Sequence, residues 1–239
     1  MTQGFVRHAD RSLSALQRRL RSRAVLYRLT LGTRVLLAVG FIPTGAVKLL
    51  GRRFTNMSPA SDIGNFFETL YRSGPYWRFL GLAQVVAGLL VLSRATATLG
   101  ALAFFAIMLN VFCITISYDF RGTPVVTGLM LLATVYLLLW DYDRLRGLLG
   151  PGAGCDAAPP PPPEQRLNGA LERGAYVAGL AFGLAFFSAM RGLLVPPSLG
   201  FWLALGCLLS FLVALWCGLL RRGPRGRRAA RAEDADAQS

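Results

Sequence analysis

Long apolar stretches separated by short basic segments dominate the pattern of this chain. Six of these stretches contain roughly 20 mostly apolar residues, enough for a helix to cross about 30 Å of hydrocarbon. They run over Leu29–Leu50, Tyr76–Leu92, Ala97–Tyr118, Pro124–Trp140, Gly174–Met190 and Leu199–Leu220. The pattern therefore predicts an all-α polytopic membrane protein with six transmembrane helices.

Arginines are unevenly distributed among the segments that flank these stretches. If both ends of the chain lie in the cytoplasm, the cytoplasmic segments carry 18 Arg and the outer segments carry six. Positively charged flanks are retained in the cytoplasm. We therefore expect a multi-pass protein with both termini cytoplasmic, which agrees with an even number of crossings.

Changes in composition divide the chain into five parts. Residues 1–27 form a basic segment in which Leu13, Leu16 and Leu20 recur at helical spacing among arginines. This spacing predicts an amphipathic helix on anionic headgroups, while a frayed tail that only enforces topology remains an alternative. Residues 28–150 form a four-helix transmembrane bundle, and 151–168 a linker stiffened by the five prolines Pro159–Pro163. Residues 169–222 form a two-helix transmembrane hairpin, and 223–239 a cytoplasmic tail.

Composition narrows the chemistry of the protein. Of the 239 residues 54% are hydrophobic, and the formal net charge is +14. Basic segments beside membrane spans explain this charge, so we expect a lipid bilayer as partner and no nucleic acid. The single histidine and four cysteines, without a C-x-x-C pair, exclude a zinc finger, a disulfide scaffold and a haem held by two histidines. We expect no metal and no required cofactor.

Polar residues inside or beside the spans are the candidate functional residues, because charge within a membrane is costly and usually paired or functional. Arg34 and Asp141 lie near the same predicted face, and we expect them to form a structural ion pair. Five other residues are candidates for a pocket open to the outer face that holds the head of a lipid-soluble molecule such as a quinone. They are Lys48, Glu68, Gln84, Asn110 and Asp119. The alternative is structural: Lys48 snorkels, and the amides only link helices.

The outer loop after the first span and the hairpin carry further patterns. Ile63, Phe66, Phe67, Leu70 and Tyr71 lie on one face of a predicted short helix, which could cover the pocket. Small residues recur every fourth position in the hairpin, for example at Gly179 and Gly183. Such rows favour close helix packing, whether within the hairpin, on the bundle or between two copies of the chain.

Several segments of residues 28 to 146 follow one another in a characteristic order and spacing: Arg34–Lys48, Phe66–Tyr71, Tyr76–Gln84, Arg94–Gly100, Gly122–Thr123 and Trp140–Tyr142. In this order and spacing they resemble the DoxX family of small four-helix bacterial membrane proteins. The N-terminal basic segment and the C-terminal hairpin are additions to that pattern. The resemblance implies a location in the bacterial inner membrane.

The resemblance also implies a function linked to redox chemistry. It suggests a non-catalytic membrane subunit or scaffold of a quinone-linked redox system, with a membrane or peripheral oxidoreductase as partner. We expect no catalytic residues in this chain, so any electron carrier is a bound quinone or belongs to the partner. A small-solute or lipid transporter is the alternative function, and a homo-oligomer remains open.

Overall fold

The computed structural model describes residues 2–22, 24–145, 169–193 and 195–220. Within these ranges all regular structure is helical, with no strand. The helices are α1 (Thr2–Arg21), α2 (Ala24–Leu49), α3 (Asp62–Arg72), α4 (Pro75–Leu92), α5 (Ala97–Ser117), α6 (Thr123–Trp140), α7 (Tyr142–Leu145), α8 (Ala170–Met190) and α9 (Gly200–Leu220). The predicted linker 151–168 and tail 223–239 lie outside the described residues.

Six helices in the described ranges are long and apolar enough to cross a membrane, namely α2, α4, α5, α6, α8 and α9. The prediction of an all-α polytopic membrane protein is thus confirmed. Two helices begin about one turn earlier than predicted, α2 at Ala24 and α8 at Ala170. Their added turns contain Arg28 and Glu172, which form a 2.7 Å ion pair, so both charges can be buried inside helices.

The centre of the bundle is an apolar core between α2, α4, α5 and α6. Phe41 of α2 stacks on Phe104 of α5 with 3.6 Å between the ring centroids. Ala38 and Ala87 are fully buried beside them and let the helices approach. We call the end of the bundle at which α2 begins the α1 face, and the opposite end the α3 face.

Helices α2 and α4 touch through glycines near the α3 face. A Cβ on Gly81 would lie 2.4 Å from the backbone nitrogen of Leu49, and one on Gly45 would lie 2.8 Å from the carbonyl oxygen of Gly81. Real Cβ contacts are never this short, so only glycine fits at these two positions. The contact brings the last turn of α2 directly against α4.

The hairpin of α8 and α9 packs on itself and on α2. A Cβ on Gly183 would lie 2.8 Å from the side chain of Val39 in α2. On the α1 face the Arg28–Glu172 pair and a 3.2 Å hydrogen bond from the hydroxyl of Tyr176 to the carbonyl of Arg28 join α8 to α2. The small-residue rows therefore serve both the hairpin and its docking on the bundle.

Helix α1 turns a polar face, rather than its leucines, towards the bundle. Its buried face is polar and consists of Asp10, Ser14, Gln17 and Arg21. These residues recur at helical spacing and turn towards the bundle, while Leu16 is 42% exposed. The helix is present where the leucine spacing predicted it, and polar contacts rather than leucines attach it to the protein. Its contact with anionic headgroups stays a prediction.

Helix α3 forms where the apolar spacing in the outer loop predicted it. The side chain of Ser61 caps its first turn by accepting a hydrogen bond from the Gly64 backbone N–H. Ile63 is buried, and the ring of Phe67 contacts Phe54 and Phe120. The helix thus lies across the α3 face and lines the smaller of the two cavities described below.

Candidate functional site

Lys48, in the last turn of α2, is the most deeply buried cation of the α3 face, with 8% of its surface exposed. Its Nζ donates a 2.7 Å hydrogen bond to Oε1 of Gln84 in α4. It also lies 4.4 Å from the ring centroid of Phe54 and 5.5 Å from that of Trp77. No carboxylate of the described residues pairs with it. We call Lys48, Gln84, Phe54 and Trp77 the Lys48 cage.

The cage is built by the glycine contact between α2 and α4. Since these backbones touch at Gly45 and Gly81, the side chains of Lys48 and Gln84 meet directly. Trp77 is 1% exposed, and its Nε1 donates a 3.0 Å hydrogen bond to the carbonyl of Arg52 in the loop. This bond holds the loop, and with it Phe54, against the end of α2.

A second cation contacts the same phenyl ring. The guanidinium carbon of Arg191, just after α8, lies 4.2 Å from the ring centroid of Phe54, and its Nη1 donates a 2.8 Å hydrogen bond to the Phe54 carbonyl. Burial lowers the pKa of Arg191 from its ordinary value. Phe54 therefore faces two cations, which interact with the negative face of its π system.

A cavity of about 520 Å³ opens beside this ring. Its wall combines aromatic rings with hydrogen-bond donors: Arg53, Phe54, Asn56, Phe120, Thr123 and Arg191. We call it the α3-face cavity. A neighbouring cavity of about 380 Å³ lies between the loop and α3 and shares Arg53 and Phe54 with it. Volumes of this size lie within the range typical of small-molecule sites.

Glu68 is tied to arginines rather than to Lys48. It accepts hydrogen bonds of 2.9 and 3.0 Å from Arg53 and one of 3.0 Å from Arg72. The hydrogen bonds from Arg53, together with those from Arg72 and the charges of both, lower the pKa of Glu68 to about 2. Glu68 lines the smaller cavity, so it lies near the cage but outside it.

Asn110 and Asp119 lie away from both cavities. Asn110 is exposed, and its Nδ2 makes only a 3.4 Å contact with the Ala106 carbonyl of its own helix. Asp119 is exposed in the turn after α5, with a φ of 43°. The structure thus brings Lys48 and Gln84 together, although neither residue lines one of these two cavities. It places Glu68 nearby and does not bring Asn110 or Asp119 to the predicted pocket.

The side of α5 on which Asn110 lies explains why it does not reach the cavities. In α5 the buried residues include Phe104 and Met108, which face the core. Asn110 follows Met108 by two residues, and each residue of a helix turns by about 100°, so it points away from the core. Its depth in the span was predictable, but its side of the helix depends on the packing of α5.

Sequence reasoning missed three residues of the α3 face: Phe54, Trp77 and Arg191. Trp77 lies inside the predicted span Tyr76–Leu92, and Arg191 directly follows the predicted span Gly174–Met190. The run Arg52-Arg53-Phe54 soon after the first span was the available signal, because an aromatic residue beside basic ones suits cation–π contact. Nothing in the spacing indicated that Arg191, far along the chain, would reach Phe54.

The α1 face contains buried ion pairs. Arg34 donates a 3.0 Å hydrogen bond through Nη2 to Asp141, and both residues are buried. Asp141 also accepts a 3.2 Å bond from Thr98 and lies 3.6 Å from Nη2 of Arg21. The predicted ion pair is therefore present, within a larger network.

Helix α1 completes this network. Arg21 pairs with Asp143 at 2.8 Å, and Gln17 donates to Asp143 at 2.7 Å. Both side chains also donate to the carbonyl of Trp140, which ends α6, at 2.9 and 3.0 Å. The polar face of α1 thus satisfies acceptors at the end of α6, which would otherwise be left unpaired in a helix terminus.

The cysteines and acidic residues give no indication of a metal centre. In the part of the chain that the structure describes, no three His, Cys, Asp or Glu side chains lie close enough to hold a metal ion. Cys113, Cys207 and Cys217 are free thiols on different parts of the fold. Binding chemistry in the described residues therefore rests on arginines, Lys48, amides and aromatic rings.

Comparison with known proteins finds a relative in Bacillus subtilis and no match to a solved structure. The chain is 30% identical over 122 residues to "Uncharacterized protein YwoB" of Bacillus subtilis (strain 168). This match covers 48% of the chain and 78% of that protein. No family model matches the chain, and no solved structure matches it.

Proposed function

The chain belongs to the same family as the Bacillus subtilis protein YwoB, and we propose that it is a non-catalytic membrane subunit that holds the head group of a quinone in its α3-face cavity. The resemblance of residues 28 to 146 to the DoxX family supports this function. We further propose that the protein resides in the bacterial inner membrane with both termini cytoplasmic, so that the α3 face is outward. The excess of arginine on the predicted cytoplasmic segments supports this orientation.

The observation that carries the proposal is the pair of cations on the ring of Phe54. Lys48 and Arg191 both contact this ring, and neither pairs with a carboxylate of the described residues. Of the two, Arg191 lines the α3-face cavity, and an unneutralised cation in a cavity wall attracts electron-rich groups such as the carbonyl oxygens of a quinone. The cavity beside Phe54 gives such a head group access to Arg191.

The residues of the α3-face cavity fit a quinone. The guanidinium of Arg191 and the hydroxyl of Thr123 offer donors for carbonyl oxygens, and the rings of Phe54 and Phe120 offer flat apolar surfaces. Met190, at the end of a span, adds an apolar wall on the side of the membrane, where an isoprenoid tail would lie. When bound, a quinone supplies two-electron redox chemistry. This chain supplies binding and orientation, and its partner oxidoreductase supplies the reaction.

Lipid extraction from the purified protein tests the proposal. We expect about one quinone per chain after purification in mild detergent, and its loss in Arg191→Ala and Phe54→Ala. Arg78→Ala is the matched control, because Arg78 is an exposed arginine of the α3 face that lines neither cavity. Absence of quinone from the wild type, or equal retention in all variants, would overturn the proposal.

Two further measurements test the redox assignment against the transporter alternative. Pull-down from native membranes is expected to recover oxidoreductase subunits with the wild-type chain. Solute uptake into proteoliposomes is expected to be absent. Uptake that Lys48→Ala abolishes, together with no bound quinone, would assign the protein to transport instead.

A further inference from the structure

We propose that the cavity of the α1 face binds a phosphate group, carried either by a membrane lipid or by free phosphate. This cavity has a volume of about 320 Å³ and lies at the opposite end of the bundle from the quinone site. Four arginines and two aspartates line it: Arg21, Arg34, Arg94, Arg144, Asp141 and Asp143. The uncharged part of the wall consists of Tyr27, Thr30, Leu31 and Trp140. Positive charge therefore exceeds negative charge around it.

The two aspartates are already engaged by the deeper arginines. Arg34 pairs with Asp141 at 3.0 Å, and Arg21 pairs with Asp143 at 2.8 Å. These pairs form the buried floor of the cavity, because Arg34 and Asp141 are both less than 10% exposed. The surplus charge thus belongs to the two remaining arginines.

Arg94 and Arg144 bind only neutral acceptors in the described part of the chain. Nη2 of Arg94 donates to the hydroxyl of Tyr27, and its guanidinium lies 5.7 Å from the Tyr27 ring centroid. Nη1 of Arg144 donates to the carbonyl of Arg94 at 3.0 Å. No described carboxylate pairs with either guanidinium. Both side chains are exposed at the mouth of the cavity, where an anion can reach them.

A donor on the floor points to the same kind of ligand. Nε of Arg34 is buried and has no hydrogen-bond acceptor among the described residues. A buried donor without an acceptor is costly, so such a group indicates an acceptor that the protein itself does not provide. An anion held between Arg94 and Arg144 would bring oxygen atoms to the same cavity that Arg34 lines.

A phosphate group matches this arrangement better than a carboxylate. Its several oxygens can accept from more than one planar guanidinium at once, and arginine recognises phosphate through paired N–H donors. The cavity also lies where α2 begins and α4 ends, at the level expected for headgroups. Basic pockets between transmembrane helices at this level bind anionic lipid headgroups.

Binding to the full-length purified protein tests the proposal with two probes. The first probe is inorganic phosphate, titrated by calorimetry in a zwitterionic detergent. The second is phosphatidic acid in phosphatidylcholine nanodiscs, followed by native mass spectrometry for a retained lipid. We expect saturable binding of at least one probe, and about tenfold or greater weakening in the Arg94→Gln/Arg144→Gln variant, which removes two charged donors.

The control variant also loses two arginine charges, but at the α3 face. Arg78→Gln/Arg121→Gln removes two exposed arginines of the α3 face and is expected to bind like the wild type. Binding of phosphatidic acid that free phosphate does not displace identifies a lipid headgroup site, whereas saturable binding of free phosphate that displaces the lipid identifies a solute site. No saturable binding of either probe, or equal binding by both double variants, would overturn the proposal.

Discussion

The two ends of the bundle hold their buried cations in different ways. On the α1 face, Arg34 lies against a carboxylate, with Asp141 at 3.0 Å. On the α3 face, Lys48 lies against an amide and two aromatic rings, with Gln84 at 2.7 Å. A cation paired with a carboxylate is neutralised and fixes helices together, whereas Lys48 is held by an amide and rings and has no neutralising carboxylate among the described residues. The first arrangement is suited to stability, and the second to binding.

Removing the carboxylate of the α1 face is expected to have the largest effect on stability. Asp141→Ala leaves Arg34 buried without its partner, which costs about 3–5 kcal/mol in buried pairs of this kind. Equilibrium unfolding in detergent–lipid micelles measures the change. Asp119→Ala removes an exposed aspartate and is expected to change stability little.

A double-mutant cycle sharpens this prediction. If Arg34 and Asp141 stabilise the bundle through each other, the loss in Arg34→Ala/Asp141→Ala is smaller than the sum of the two single losses. Additive losses would show that the pair contributes nothing as a pair. In that case the α1 face would not differ from the α3 face in the proposed way.

The next largest effect is expected from the glycine contact that builds the Lys48 cage. Gly81→Ala places a Cβ 2.4 Å from the backbone nitrogen of Leu49, and backbone atoms cannot rotate away. We expect a loss of about 1–3 kcal/mol from overpacking. The matched control is Gly174→Ala in α8, where a Cβ meets nothing within 4 Å. Equal stability of Gly81→Ala and wild type would contradict the close approach of α2 and α4.

Removing Lys48, the buried cation of the α3 face, is expected to have a smaller effect on stability. Lys48→Met keeps the length of the side chain and leaves only Oε1 of Gln84 without its donor, at a cost of about 1 kcal/mol. Adding Gln84→Leu is expected to recover most of this loss, because replacing both partners by apolar groups is nearly neutral. A loss as large as that of Asp141→Ala would mean that Lys48 is a structural residue like Arg34.

The smallest effect concerns the exposed pairs around Glu68 and depends on pH. Because its arginine partners lower the pKa of Glu68 to about 2, the folded state favours the ionised carboxylate. Its stabilising contribution is therefore complete above the unfolded pKa of about 4.3 and is lost as pH falls towards 2. Thermal unfolding of Glu68→Gln and wild type should differ at neutral pH and converge near pH 2. A difference that persists at pH 2 would contradict the ion pairs.

Much of the fold could be predicted from the pattern of apolar and polar residues along the sequence. Span length predicted the six membrane helices, and apolar spacing predicted α3. The pairing of Arg34 with Asp141 was predictable because spans that cross in alternate directions place these residues at the same face. Depth along the membrane normal is a property of sequence position, so contacts that depend on depth alone can be inferred.

The remaining contacts depend on rotation and on distant packing. Asn110 lies at a suitable depth but on the outer side of α5, and Arg191 reaches Phe54 only because the hairpin docks on α2. The buried polar face of α1 was equally hidden, since Gln17 and Arg21 find their acceptors at Trp140 and Asp143. Such pairs need three-dimensional coordinates, because neither partner shows an unusual spacing in the sequence.

The sequence separation between Arg34 and Asp141 also determines how long after Arg34 its partner is synthesised. The two residues are 107 positions apart, so at a translation rate of 5–20 residues per second the aspartate leaves the ribosome about 5 to 20 s after the arginine. During that interval the first span has no Asp141 to receive its guanidinium. We expect the charge of Arg34 to hold it near the water boundary during that interval, and the first span to reach its final depth only after the fourth span is inserted.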